Sequence, residues 1–237
     1  MEKKHKDVFI DFDDTIYDTH GNAEIALKEL YEHFGWSENF DDLQSFTTPY
    51  WKANIELWTQ YSRGEIDRDY LMVERFRRPL LCGRGLNPTR EYCMEVSDVF
   101  LDLCSCKPGL VPGARQLLEY LKPRYRLHLC SNGFHEVQYK KLEASDTYKY
   151  FDTVILSEDA GVNKPHLAFF DYALKTAKAE RETTVMIGDN YNTDIIGAFF
   201  AGIDQIYFNR WNWSPKEKAQ NCQEVKELTD VIELLKL

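Results

Sequence analysis

The sequence predicts an α/β fold: a parallel sheet covered by helices, with a helical segment inserted after the first strand. From residue 108 onward, short apolar runs typical of strands alternate with helical patterns, an order that favours a parallel sheet. A further apolar run, Val8–Phe12, follows a charged N-terminal segment. Between these two regions the apolar spacing is helical throughout. We therefore predict an α/β core over residues 1–17 and 108–237, and a helical unit over residues 18–107.

The inserted unit contains four predicted helices, each bounded by glycine, proline or a capping residue. Asn87 is expected to cap the fourth helix, with Pro88 at its first position. Trp51, Ile55 and Trp58 recur at the spacing of one face of the second helix, so we expect that face to pack in the core of the unit. The predicted helices cover residues 22–34, 49–63, 67–78 and 87–104.

The remaining part of the chain contains the strands and helices of the predicted sheet. After the first strand, four more strands are expected at residues 126–130, 154–156, 183–187 and 205–208. Helices are expected at residues 113–121, 136–144, 167–177 and 194–201, and two short helical pieces at the end of the chain. This alternation predicts helices on both faces of the sheet.

Composition and charge exclude several classes of protein. The 237 residues are 43% hydrophobic and 29% charged, which is ordinary for a globular chain. The net charge of −10 argues against a partner that is a nucleic-acid polymer or an anionic membrane. None of the six cysteines forms a C-x-x-C pair, and the N-terminal apolar run is too short for a signal peptide or a membrane span. These observations favour reduced thiols and a cytoplasmic location.

Polar side chains follow four of the predicted strands. In an open parallel sheet, ligands bind beyond the carboxyl ends of the strands. We therefore expect these four groups to meet along one edge, which is more informative than any one of them alone. The groups are Asp11-Phe12-Asp13-Asp14-Thr15, Ser131-Asn132-Gly133, Lys164-Pro165, and Gly188-Asp189-Asn190 together with Asp194.

The acidic residues of this edge are suited to a metal ion and to phosphoryl chemistry. Asp11 and Asp13 point to the same side of an extended segment, and Asp189 adds a third carboxylate. Carboxylates without histidine or cysteine favour a hard cation such as Mg²⁺. A carboxylate can attack a phosphoryl group, while a second acid moves the protons. Ser131 can hold phosphate oxygens, and Lys164 supplies the positive charge that an acidic protein must place locally.

Together, the four groups resemble the four motifs of the haloacid dehalogenase-like (HAD) superfamily, and they occur in the same order along nearly the whole chain. The resemblance implies a Rossmann-like parallel sheet with strand order 3-2-1-4-5. It also identifies residues 18–107 as similar to the α-helical type-1 cap of that superfamily. Members that cleave carbon–halogen bonds lack an acid at the position of Asp13 and do not need Mg²⁺. The resemblance therefore favours a Mg²⁺-dependent phosphatase.

The resemblance also implies a role for each matching residue. Asp11 is the expected nucleophile, Asp13 the general acid and base, and Lys164 the cation that steadies the phosphoaspartate. Phosphate is expected to bind to Thr15, Ser131, Asn132 and Gly133. The expected magnesium ligands are Asp11, Asp189 and the backbone carbonyl of Asp13. Asp194 and Asn190 are expected to contact these ligands rather than the ion itself.

A closer resemblance is to the pyrimidine 5′-nucleotidase branch of the superfamily. It is carried by Ser131–Phe134 and by Ser157–Pro165, and it implies a nucleoside 5′-monophosphate as the substrate. Aromatic side chains that can cover a planar base are the candidates for specificity: Phe134, Trp51, Trp58 and Trp211.

Other functions stay open at the level of the sequence. A phosphatase of phosphoglycolate or a sugar phosphate, and a phosphotransferase or phosphomutase of the same fold, would use the same motif residues. A signalling receiver module is a more distant alternative, because receivers have no inserted cap and their phosphorylated aspartate does not follow the first strand. A catalytically silent binding protein is also more distant, because Asp11, Asp13, Lys164 and Asp189 are all present. The expected partner is a small phosphate ester, and the expected assembly is a monomer or a weak homo-oligomer.

Overall fold

The computed structural model describes residues 4–215 and 219–236, and the chain divides into two compact units. The first, which we call the core unit, comprises Met1–Thr19 and Pro108–Leu237. The second, the helical unit, comprises His20–Lys107. Within the described ranges, no helix is both long enough and apolar enough to cross a membrane.

A six-stranded, wholly parallel sheet forms the centre of the core unit. Its order is β3-β2-β1-β4-β5-β6, which confirms the predicted order 3-2-1-4-5 and extends it by one strand. The strands are β1 (Asp7–Ile10), β2 (Arg126–Ser131), β3 (Thr153–Leu156), β4 (Thr184–Gly188), β5 (Asp204–Phe208) and β6 (Gln223–Val225). Of the two short helical pieces predicted for the end of the chain, the described residues after β5 contain one helix, Leu228–Leu235, and β6 precedes it. Only Val225 of the three residues of β6 is buried, so this edge strand lacks the apolar run that indicates a buried strand.

Side chains cap the first turns of three of the long helices in the helical unit. Its helices are α1 (Thr19–His33), α2 (Leu43–Ser62), α3 (Arg68–Leu80) and α4 (Arg90–Ser105). Asp42 caps α2 by accepting a hydrogen bond from the Ser45 backbone N–H. The predicted start of α2 at Pro49 is therefore wrong by six residues, because this cap precedes the proline. Thr89, not Asn87, caps α4 through the Tyr92 backbone N–H, so that helix begins at Arg90.

The buried face of α2 also differs from the prediction. Tyr50, Ala53 and Leu57 are buried, whereas the Ile55 side chain is 66% exposed. Of the expected core face of Trp51, Ile55 and Trp58, Trp51 is half-buried and packs against the core cluster of the unit, whereas the prediction is wrong for exposed Ile55. Two apolar stripes lie on this helix. Periodicity alone does not decide which of them turns inward.

In the core unit, helices cover both faces of the sheet. They are α5 (Ala114–Leu121), α6 (His135–Ala144), α7 (Ser157–Ala160), α8 (Leu167–Ala177), α9 (Ile196–Phe200) and α10 (Leu228–Leu235). Val8 and Ile10 of β1 pack in a cluster with residues of α5 and α10. Phe9, which points to the opposite face, packs with residues of α8 and α9. Burial on both faces explains the continuous apolar run of β1.

Candidate active site

The carboxyl ends of β1 and β4 bring three carboxylates together. These strands are neighbours in the sheet, and the Asp11 backbone N–H donates to the Ile187 carbonyl across 2.9 Å. One carboxylate oxygen from each of Asp11, Asp189 and Asp194 lies within 4.8 Å of the others. The predicted meeting of strand ends thus brings residues from distant parts of the chain into one acidic cluster.

Lys164 supplies a cation inside this cluster. Its ammonium group is buried and donates to Asp11 Oδ1 at 2.6 Å, to Asp194 Oδ1 at 2.7 Å and to the Cys130 carbonyl at 2.7 Å. Burial disfavours the charged amine, but the two carboxylates outweigh this effect and raise the pKa of Lys164. All three donors of the ammonium group are satisfied, so the side chain is held in one position.

A single lysine does not neutralise three carboxylates. Burial raises the pKa of Asp11, and the charges of Asp194 and Asp13 oppose the pull of Lys164. Burial and the charges of Asp11, Asp14 and Asp194 raise the pKa of Asp189, which forms no ion pair within the described part of the chain. This excess of oxygen ligands and negative charge fits a divalent cation such as Mg²⁺.

Asp194 is fixed by the loop that follows β4. Its Oδ2 accepts a hydrogen bond from the Asn190 backbone N–H at 3.1 Å. The Asn190 side chain in turn accepts from the backbone N–H groups of Asn192 and Thr193 and opens a π-helical turn, Tyr191–Ile195. A Cβ atom at Gly188 would lie 2.3 Å from Asp194 Oδ2, so glycine is required there. The Asn190 backbone and Gly188 thus fix the position of Asp194 within the cluster.

Thr15 and Asn132 make contacts that connect the loops of the site. The Thr15 hydroxyl donates to Asp189 Oδ1 at 3.2 Å and accepts from the Asp189 backbone N–H at 3.0 Å. The Asn132 side chain pairs with the backbone of Lys164, donating to its carbonyl at 3.0 Å and accepting from its N–H at 2.8 Å. The resemblance implies that Thr15 and Asn132 bind phosphate. In this structure their side chains hold other site residues in place.

The Asp13 carboxylate points toward α6, and all its contacts are donors. Oδ1 accepts from Thr19 Oγ1 and Lys141 Nζ, each at 2.5 Å. Oδ2 accepts from Gln138 Nε2 and, at 3.4 Å, from Ser131 Oγ. Burial raises the pKa of Asp13, but the charge of Lys141 and the donated hydrogen bonds outweigh it, so the pKa lies below its usual value.

Sequence reasoning missed Gln138 and Lys141. Both are buried although they lie on a helix with many charged residues. They are three residues apart and therefore share a face of α6, the face that also contains buried Val137 and Leu142. The signal that identifies Gln138 and Lys141 is their position. Both are polar residues on the apolar stripe of a helix that follows a candidate phosphate-binding loop.

The four candidates for substrate specificity lie in different surroundings. Phe134 is buried, with 2% of its surface exposed, immediately before α6. Trp211, which follows β5, is 51% exposed, and the Arg210 guanidinium lies 4.4 Å from its ring centroid. In the helical unit, the Trp51 ring stacks on His20 and the Trp58 ring meets the edge of Tyr61. Of the two candidates in the core unit, Trp211 is therefore the exposed one.

Comparison with known proteins gives one family. Residues 6–202 match the family model described as a haloacid dehalogenase-like hydrolase. The chain is 27% identical over 231 residues to the pyrimidine 5′-nucleotidase YjjG of Escherichia coli, covering 96% of each chain. It is 28% identical over 223 residues to a glyceraldehyde 3-phosphate phosphatase of Methanothermobacter thermautotrophicus, covering 86% of this chain and 85% of that one.

A solved structure agrees with the fold over the full length. The crystal structure of the HAD-hydrolase YfnB of Bacillus subtilis, described as bound to magnesium, superposes with a TM-score of 0.88. The sequence identity is 25%, and the match covers 99% of this chain and 100% of YfnB.

The buried position of Lys164 generates a test of stability. In Lys164→Met, Asp11 and Asp194 would face each other without a cation, and breaking a buried ion pair costs about 3–5 kcal/mol. We expect the free energy of unfolding, measured with urea in the presence of a chelator, to fall by about that amount. Lys175→Met, at an exposed position of α8, is the control. A loss below about 1 kcal/mol, the range of surface ion pairs, would contradict this interpretation of the cluster.

Proposed function

Because the chain belongs to the haloacid dehalogenase-like hydrolase family, we propose that it is a phosphatase that hydrolyses a phosphate monoester through an aspartyl phosphate. The observation that carries this proposal is the pairing of two acids in contrasting surroundings. Asp11 lies against buried Lys164, and Asp13 is held by donors beside Ser131. This contrast supports assigning the attack to Asp11 and the proton transfer to Asp13.

In the first step, Asp11 attacks phosphorus. Lys164 occupies Oδ1 of Asp11, while Oδ2 has no donor among the residues that the structure describes, and it is the oxygen assigned to the attack. The new bond joins Asp11 to phosphorus, and the bond between phosphorus and the ester oxygen breaks. The pKa of Asp13 is lowered in the structure, but in the substrate complex we assign it a proton, because the charge of the bound phosphate disfavours a second anion beside it. That proton passes to the departing oxygen, which leaves as an alcohol.

In the second step, water hydrolyses the phosphoaspartate. The water oxygen attacks phosphorus, the bond from phosphorus to Asp11 breaks, and the water proton passes to the Asp13 carboxylate. Inorganic phosphate leaves, and both carboxyl groups return to their starting states. Lys164 donates to the Asp11 carboxyl group throughout and stabilises charge on it as the bond to phosphorus forms and breaks.

Magnesium completes the proposed site. We assign its ligands to Asp11, Asp189 and the backbone carbonyl of Asp13, with Asp194 in support. The uncompensated charge of the cluster and the description of YfnB as magnesium-bound support this assignment. When bound, the ion offsets the repulsion between the carboxylates and the phosphate and stabilises the charge that develops in transfer.

For the substrate, we propose a pyrimidine nucleoside 5′-monophosphate. YjjG, named as a pyrimidine 5′-nucleotidase, matches over nearly the whole chain, and the exposed Trp211 ring provides a surface on which a planar base can stack. The glyceraldehyde 3-phosphate phosphatase is equally similar over less of the chain, so a small phosphorylated aldehyde is the second candidate. Because nucleoside monophosphates are cytoplasmic metabolites, the proposal places the enzyme in the cytoplasm.

The nucleophile is tested by Asp11→Asn, which keeps the shape of the side chain and removes its charge. We expect kcat/KM for p-nitrophenyl phosphate to fall by about three orders of magnitude or more, because no aspartyl phosphate forms. Asp171→Asn, at an exposed ion pair on α8, is the control. If Asp11→Asn kept more than about a tenth of the activity, a change of about 1.4 kcal/mol in the barrier, Asp11 would not be the nucleophile.

Metal dependence is tested by activity and by stability. A chelator is expected to abolish turnover and Mg²⁺ to restore it. Since a ligand that binds only the folded state stabilises it, Mg²⁺ is also expected to raise the Tm of the wild type but not of Asp189→Ala. Asp171→Asn should show the same rise as the wild type. Full activity in excess chelator, or an equal Tm rise in Asp189→Ala, would refute the assignment.

The substrate is tested with a panel: UMP, dUMP, dTMP, AMP, glyceraldehyde 3-phosphate, phosphoglycolate and a sugar phosphate. We expect the pyrimidine nucleotides to give the highest kcat/KM. Trp211→Ala should lower kcat/KM for these nucleotides but not for phosphoglycolate, and Phe200→Ala, which removes an exposed aromatic ring from α9, should lower neither. If a non-nucleotide exceeds all three pyrimidine nucleotides by tenfold, about 1.4 kcal/mol, the nucleotidase proposal is wrong and the phosphatase proposal stands.

A further inference from the structure

The Ser131 hydroxyl is held from two sides by neighbouring N–H donors. Its Oγ accepts hydrogen bonds from the Gly133 backbone N–H at 3.0 Å and from Gln138 Nε2 at 2.9 Å. A hydroxyl oxygen has two lone pairs and one proton, so these bonds occupy its acceptor positions. The Ser131 proton is left to donate, and the acceptor that faces it here is Asp13 Oδ2 at 3.4 Å.

Gln138 connects this hydroxyl with the candidate acid. The same Nε2 that donates to Ser131 also donates to Asp13 Oδ2. One turn later on α6, Lys141 holds the other oxygen of Asp13. Gln138 and Ser131 are both fully buried, so water does not substitute for these contacts. The amide group of Gln138 therefore sets the orientation of two side chains of the proposed site at once.

Gly133 makes room for that amide group. A Cβ atom at residue 133 would lie 1.7 Å from Gln138 Nε2 and 2.6 Å from Gln138 Cδ. The backbone of Gly133 is not among those with a positive φ angle, so a left-handed conformation does not explain the glycine. The constraint at residue 133 is the close approach of the Gln138 side chain, which would have to leave its position to admit a larger residue.

Burying the Gln138 amide group lowers the stability of the folded state. Gln138 Oε1 is buried and has no hydrogen-bond partner among the described residues. A buried acceptor without a donor is unfavourable, and an apolar side chain of similar shape would avoid this penalty. The position of the Nε2 group, rather than packing, therefore explains a glutamine here.

We propose that Gln138 is a positioning residue that directs the Ser131 hydroxyl toward the substrate phosphate and orients Asp13, and that Gly133 serves chiefly to admit Gln138. This inference rests on the proposed phosphatase function. With substrate bound, the Ser131 proton donates to a phosphate oxygen in place of Asp13, and Asp13 keeps its contacts with Gln138 and Lys141 while it transfers protons. Gln138 does not itself touch the substrate.

A double-mutant cycle tests the link between Gly133 and Gln138. Gly133→Ala and Gln138→Ala are each expected to lower kcat/KM for p-nitrophenyl phosphate by about tenfold or more. In the double variant the new methyl group has the space that the shortened side chain leaves, so activity should equal that of Gln138→Ala alone. If the two losses multiply instead, Gly133 acts independently of Gln138 and the proposal is wrong.

A second measurement separates positioning from a structural role. Gln138→Met removes the donor and also the unpartnered oxygen, so we expect an unchanged or higher Tm together with a lower kcat and a weaker affinity for inorganic phosphate. Lys140→Ala, at an exposed neighbouring position on α6, should match the wild type in all three. Retained kcat and phosphate affinity in Gln138→Met, or a Tm that falls together with activity, would overturn the proposal.

The same cycle distinguishes this inference from the proposed function. If the wild type does not hydrolyse p-nitrophenyl phosphate, the phosphatase proposal fails. The affinity for inorganic phosphate, measured by calorimetry in Mg²⁺, then tests the positioning role through the same four proteins. Equal affinity in the wild type and Gln138→Ala would show that Gln138 does not direct Ser131.

Discussion

The ammonium group of Lys164 is the interaction on which the rest of the site depends. It joins Asp11 after β1, Asp194 after β4 and the Cys130 carbonyl in β2, three neighbouring strands of the sheet. Without that cation, Asp11 and Asp194 would repel each other at the switch point of the parallel sheet, where crevices for ligands form. The lysine backbone is in turn held by the Asn132 side chain, so the loops after β2 and β3 are fixed together.

Two acids separated by one residue have opposite surroundings. Burial, together with the charges of Asp194 and Asp13, raises the pKa of Asp11, although Lys164 is bound to it. Asp13 turns toward α6 and is buried, but the charge of Lys141 and the hydrogen bonds from Lys141, Thr19 and Gln138 outweigh that burial and lower its pKa. A short segment of backbone thus presents one carboxylate to an acidic cluster and the next to a cluster of donors. When two chemically identical groups have different surroundings, their pKa values differ, and this difference is the usual reason that they take different catalytic roles.

The sequence predicts the parts of the structure that depend on local pattern and strand order. The parallel sheet follows from alternating strands and helices, and the cluster of Asp11, Asp189 and Asp194 follows from strand ends that share an edge. The edge strand β6 was not predictable, because its exposed residues carry no apolar pattern. Gln138 was missed because a polar residue on a charged helix is normally exposed, and only its place on the apolar stripe beside Val137 and Leu142 indicates burial.

The contacts of α6 show why glycine and glutamine belong to the site as much as the charged residues do. Charged groups can attract phosphate from any direction, but a hydroxyl donates along one direction only. That direction is set for Ser131 by two fixed donors, Gly133 N–H and Gln138 Nε2, and the second of them fits only because residue 133 lacks a side chain. Because these groups act on a phosphate that all phosphate esters share, they set orientation and leave the choice of substrate to residues that touch the departing group.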